Sequence, residues 1–139
     1  MTDLWPDAEV GELISDGTVL SFEAAGAITK GKTVYLSADM KVSQCNAATL
    51  YAVGIALKTV AASEFCPVCV RGVVKVIAGG AITRGARVQT DASANVITLA
   101  DGSATYTPSE LPDRAARALG VALQTFASGD AGLILVGKA

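Results

Sequence analysis

The sequence predicts an all-β protein, a compact β-barrel or sandwich built from two pseudo-symmetric repeats with at most one short helix. Three observations predict it. Hydrophobic residues make up 51% of the chain and aromatic residues 5%, while Ala, Val, Gly and Thr are abundant, a balance that suits many short strands of small and β-branched residues better than a few thick helices. Turn-forming residues recur about every ten positions between short alternating runs, as in β-sandwiches and barrels. The chain also nearly repeats itself: "AGAITKGKTV" at 25–34 returns as "GGAITRGARV" at 79–88.

The repetition is longer than those ten residues. A shift of 54 pairs Val19 with Val73, Gly26 with Gly80, Ile28 with Ile82, Gly31 with Gly85, Val34 with Val88 and Val42 with Val96, and "VGIALKTVAAS" at 53–63 matches "LGVALQTFASG" at 119–129 after a shift of 66. The second copy therefore carries a net insertion of 12 residues, in or near "ADGSATYTPSELPDRAA". This divides the chain into an extended N-terminal arm, 1–16, and two units, 17–71 and 72–139. No Gly/Ser or Pro-rich linker separates the units, so one pseudo-symmetric barrel with a shared core is expected. Two repeats are too few for a solenoid, which needs three or more to bury its faces.

Each element has a local reason. "GTVLSF" and "GVVKVI" are β-branched runs, and "KTVYLS" and "ARVQTD" alternate as half-buried strands do. Between them, Gly26 and Gly31, and likewise Gly80 and Gly85, bracket a short connection of the kind that needs positive φ. A polar turn follows, "SADMK" or "DASAN", and leads into "KVSQ" or "NVIT". Each unit closes with "YAVGIALKTV" or "ALGVALQTFA", a turn, and a last strand, "FCPVCVRG" or "AGLILVGK". The one helical signal lies in "TPSELPDRAARALG", where Thr107 or Ser109 caps a first turn and Gly120 follows the end.

Composition narrows the function. Eleven basic against 13 acidic residues leave a formal charge of −2, with no basic cluster to attract phosphates, so no nucleic-acid partner is expected. No apolar run approaches the roughly 20 residues of a membrane-spanning helix, and the acidic start "MTDLWPDAEV" is unlike a signal peptide, so neither membrane association nor export is expected. The absence of histidine removes the commonest general base and metal ligand. No SxxK or GxSxG spacing offers a serine nucleophile, so no catalytic residue is assigned.

Two motifs invite a chemical reading. "CPVC" at 66–69 has redox or half-zinc spacing, but it lies in a predicted strand without a second CxxC or a following helix. Two small buried residues are the simpler account, with Pro67 marking an edge or bulge. The glycine-rich "IAGGAITRG" lacks the GK[ST] ending of a phosphate loop, and Asp39, Asp91, Asp101, Asp113 and Asp130 have turn positions rather than calcium-loop spacing. No cofactor or metal is expected. The arm differs in kind: it holds the sole tryptophan, and Leu4, Trp5, Pro6 and Val10 are candidate interface residues, because aromatic anchors dominate interface energetics. Fraying is the alternative for a chain end.

Taken together, "AGAITKGKTVYLSADMKVSQ", "YAVGIALKTVAASEFCPVCVRGVVKV", "GGAITRGARVQTDASANVIT" and "LGVALQTFASGDAGLILV" resemble the capsid-decoration, or capsid-cement, proteins of tailed bacteriophages and related viruses, from about Gly17 to Gly137. The resemblance implies a β-tulip or β-clip-like fold and no catalytic residues. It implies binding to the major capsid protein on the outside of an icosahedral shell, often as a trimer, and reinforcement of the head against packaged DNA. It places the protein in the virion after synthesis in the host cytoplasm. Two other classes compete. A tail or head-fibre base module is separated by its position in the particle. A small-ligand β module requires a concave polar and aromatic pocket, which Tyr35, Tyr51 and Tyr106, scattered along the chain, do not suggest.

Overall fold

The computed structural model describes residues 8–14, 17–99 and 116–137. Nine strands form one sheet: β1 Thr18–Ala24, β2 Thr33–Ala38, β3 Lys41–Gln44, β4 Ala52–Ala56, β5 Phe65–Ile77, β6 Arg87–Thr90, β7 Val96–Thr98, β8 Gly120–Ala122 and β9 Ala131–Gly137. The order is β1-β3-β2-β4-β5-β9-β8-β6-β7, and β1 also pairs with β5, which closes the first five strands into a barrel. β5 then continues without a break across the 71/72 boundary. Its second half pairs with β9 from Arg71↔Gly137 to Ile77↔Ala131, and a parallel bridge, Ala78↔Val96, brings β7 back to its end. Closure of this kind leaves few open strand edges, the usual sites of unwanted pairing.

The predicted strands all appear, and several hydrogen bonds recur at sequence offsets of 54 and 66. Ile28 and Val60 exchange both backbone hydrogen bonds, as do Ile82 and Phe126. Gly31 N donates to Ala56 O and Gly85 N to Ala122 O, each at 2.8 Å. Side chains follow suit, since Lys30 N donates to Thr59 Oγ1 and Arg84 N to Thr125 Oγ1. The barrel registers match as well: Ile55↔Cys69 and Ala56↔Val68 in the first unit, Val121↔Leu135 and Ala122↔Ile134 in the second. Gly31 and Gly85 hold φ of +89° and +85°, the left-handed region that Ala resists. Gly26 and Gly80 have no positive φ, so only the second glycine of each bracket is conformationally required.

Instead of one shared core there are two clusters. Phe22, Ile28, Val34, Val42, Val60, Cys66 and Val68 fill the first barrel. The second cluster joins Val74, Val76, Ile82, Val88, Phe126 and Ile134 to Cys45, Ile55 and Cys69 from the first unit. Because strand residues alternate faces, β5 serves both clusters, Cys66 and Val68 pointing one way and Cys69 the other. The cores are filled differently at equivalent positions. Phe22, Val60 and Cys66 of the first unit correspond to Val76, Phe126 and Gly132 of the second, so the large ring moves across the barrel and a glycine makes room for it. A Cβ on Gly132 would lie 2.5–2.8 Å from three atoms of the Phe126 ring.

The units also meet through a turn. Thr33 N donates to Ala94 O at 3.0 Å, the buried hydroxyls of Thr33 and Thr90 are 2.7 Å apart, and Lys32 Nζ donates to Asn95 Oδ1 at 2.6 Å. Pro67 sits in a strand flanked by both β1 and β4, not at an edge or bulge. It is tolerated because its position lies one residue beyond the last β4 rung, Ala56↔Val68, where no donor is demanded, and its carbonyl still accepts from Leu57 N. The predicted helix falls largely outside the described residues; Ala116 and Arg117 are helical.

Candidate interaction surfaces

The described part of the N-terminal segment, residues 8–14, lies antiparallel against β5. Gly11 N donates to Lys75 O at 2.7 Å, Ile14 N to Val73 O at 2.8 Å, and Lys75 N to Glu12 O at 3.4 Å, with Leu13 opposite Val74. The side chain of Lys75, though buried, donates from Nζ to Ala8 O. Ahead of this, Glu9 forms a 2.7 Å ion pair with Lys30, and that cation holds the exposed Glu9 carboxyl below its ordinary range by hydrogen bond first and charge second. Val10, a candidate interface residue, lies half-buried where its Cγ1 comes within 2.5 Å of a Cβ built on Gly31 of the same chain. Leu4, Trp5 and Pro6 lie outside the described residues.

Among the described residues, nothing occupies the equivalent place in the first unit. Val19, Leu20 and Ser21 of β1 correspond to Val73, Val74 and Lys75, and they pair with β5 on one side, while β3 reaches β1 only at Glu23↔Lys41 and Ala24↔Val42. On the other side, residues 18–22 overhang the β2–β3 hairpin. The consequence shows in burial: Val74, beneath Leu13, is 0% exposed and its counterpart Leu20 is 46% exposed. Phe65, beside Glu23 at the start of β5, is also exposed.

A second surface is an open groove of about 480 Å³ lined by Tyr35, Leu36, Thr49, Leu50, Tyr51 and Val53. Two of the tyrosines that look scattered in sequence thus meet across the β2–β4 pairing, which places Tyr35 against Ala52. Linear distance hid this, because the chain between them forms the β3 hairpin and returns.

The cysteines offer little chemistry. Cys45, Cys66 and Cys69 are buried and unbridged, and burial pushes the Cys66 and Cys69 thiols up, away from the reactive thiolate. The two sulfurs of "CPVC" belong to different cores, Cys69 Sγ donating to Arg71 O at 3.3 Å. Among the described residues no group of His, Cys, Asp or Glu is arranged to hold a metal.

Comparison with known proteins gives two findings. The sequence model of a family described as phage cement protein matches residues 14–137. Among solved structures, the N base of the head fiber gp8.5 of bacteriophage phi29 is similar in fold, with a TM-score of 0.57, 18% identity, and coverage of 86% of this chain and 93% of that one. No curated protein matches the sequence.

Proposed function

The chain belongs to the phage cement protein family, and on that premise we propose that it is a structural, non-enzymatic virion component that binds the outer surface of an icosahedral capsid and stabilises the shell against internal DNA pressure. The observation that carries this reading is the family match, which spans nearly the whole chain rather than one motif. The physical build supports it. A closed barrel whose 13-residue strand continues into the pairing of four further strands is a stiff body, as a clamp between shell subunits must be. A rigid binder loses little conformational entropy on docking, and many copies bound to the assembled shell but not to its separated subunits stabilise it by mass action.

The arm supplies an attachment. Residues 8–14 are fixed against β5 and the Gly31 turn, so Leu4, Trp5 and Pro6 start from a rigid anchor. They contact the major capsid protein or a neighbouring copy. Removing residues 1–7 leaves the Leu13 cover in place and is expected to lower capsid occupancy; unchanged occupancy refutes the contact.

The decisive test mixes purified protein with shells of its virus's major capsid protein, pellets them, and measures bound copies and the melting temperature of the shell. Saturation in a simple ratio with a raised melting temperature is expected. A base for a head fibre is the second reading, favoured by the fold likeness to the phi29 fiber base. Imaging of the particle separates the two: a fibre base carries an appendage at each position and a cement protein does not.

A further inference from the structure

We infer that the overhanging edge of β1, centred on Leu20, is a self-association site that pairs antiparallel with β1 of a second copy about a twofold axis. The molecule itself shows what this edge requires. In the second unit the same edge takes an antiparallel segment, Gly11–Ile14, which bonds the Val73 carbonyl and both the N–H and the carbonyl of Lys75 and covers Val74 with Leu13. Backbone groups alternate in direction along a strand, so at the equivalent positions Val19 and Ser21 aim their N–H and C=O away from β5. These are two donors and two acceptors in a row on an exposed edge.

The spacing is self-complementary. With two β1 strands antiparallel and Leu20 at the centre, Val19 exchanges both hydrogen bonds with Ser21 of the second copy, and Ser21 does so with its Val19. Leu20 meets Leu20 of the second copy in the closer, non-hydrogen-bonded pair, which gives each the apolar cover that Leu13 gives Val74. The residues brought opposite one another, Thr18–Phe22, contain no charge and no proline, the features by which monomers protect an edge. Pairing of identical edges also closes on itself, so it ends at two copies.

The test is the mass of the full-length protein in solution. Wild type at about 50 µM is expected to sediment at twice the mass of Leu20→Lys, which sets two like charges at the axis, and of Ser21→Pro, which removes an outward N–H and no hydrogen bond to β5. Both variants are expected to keep the wild-type circular dichroism. Hydrogen exchange on the wild type gives a check that needs no mutant: protection of the Val19 and Ser21 amides must rise with protein concentration. A monomeric wild type, a trimer indifferent to Leu20→Lys, or concentration-independent exchange overturns the inference. So does a Leu20→Lys variant of unchanged mass that loses only shell binding, since the edge then belongs to the capsid subunit. Shell binding by a monomer refutes the pairing and leaves the capsid role intact.

Discussion

The different placement of the phenyl ring in the two units predicts a strong coupling between Phe126 and Gly132. Gly132→Ala places a methyl 2.5–2.8 Å from three ring atoms of a side chain only 2% exposed, which has no solvent to swing into. Overpacking of this kind costs roughly 1–3 kcal/mol, partly offset by about 0.5–1 kcal/mol for removing a glycine from a strand interior, so a net loss of about 1–2 kcal/mol is expected. Phe126→Val alone opens a cavity; truncation of a buried Phe to Ala costs about 3–5 kcal/mol, and retaining the valine methyls brings this to about 2–3. In the double variant the new methyl occupies vacated space. Its cost should fall about 2 kcal/mol short of the sum of the single costs, within the range for residues in contact. Urea unfolding followed by far-UV circular dichroism, with equal m-values, measures all four corners of the cycle. Additivity within about 0.5 kcal/mol would falsify the reading of glycine as room for the ring.

Other expectations follow from named contacts. Gly85→Ala meets open space and suffers only its left-handed φ, a cost of about 1–2 kcal/mol, whereas Gly31→Ala also strikes Val10 and should cost more and expose residues 8–14 to proteolysis. The Glu9 carboxyl is held below its usual 4.5, so its contribution is present above that pH and is lost as pH falls through the folded value. Hydrogen exchange at Gly11 should therefore accelerate on acidification in wild type and be insensitive to pH in Glu9→Gln after correction for intrinsic exchange. For Cys66 and Cys69 the sign reverses: their pKa values are raised from 9.0, so stability is full below that pH and falls above it as unfolded thiols ionise first. A thiol reagent at neutral pH should react at the rate of opening, and Cys66→Ala with Cys69→Ala should flatten the alkaline limb.

Much of the architecture was written locally. Short runs such as "TVYLS" and "RVQT" alternate because one face is buried, and a period of two is visible in any window of five or six residues. Gly31 and Gly85 were recognisable because a left-handed turn admits few residues, and the offsets 54 and 66 survive as hydrogen bonds because equivalent turns fix equivalent registers. "CPVC" was readable as packing because it lies in a strand pattern with no second CxxC and no following helix, and the structure places its two cysteines in different clusters.

What the sequence could not contain was the choice among equivalent partners. Val19–Ser21 and Val73–Lys75 are equivalent strand positions, yet one edge receives Gly11–Ile14 and the other, among the described residues, stays open. The meeting of Tyr35 with Tyr51, and the trade of Phe22, Val60 and Cys66 for Val76, Phe126 and Gly132, are likewise sums over residues far apart in the chain. Alternation and turn chemistry act over a few residues and determined the strands by themselves. Pairing partners, core volumes and exposed edges depend on what the rest of the chain leaves unfilled, and only the tertiary structure decided them.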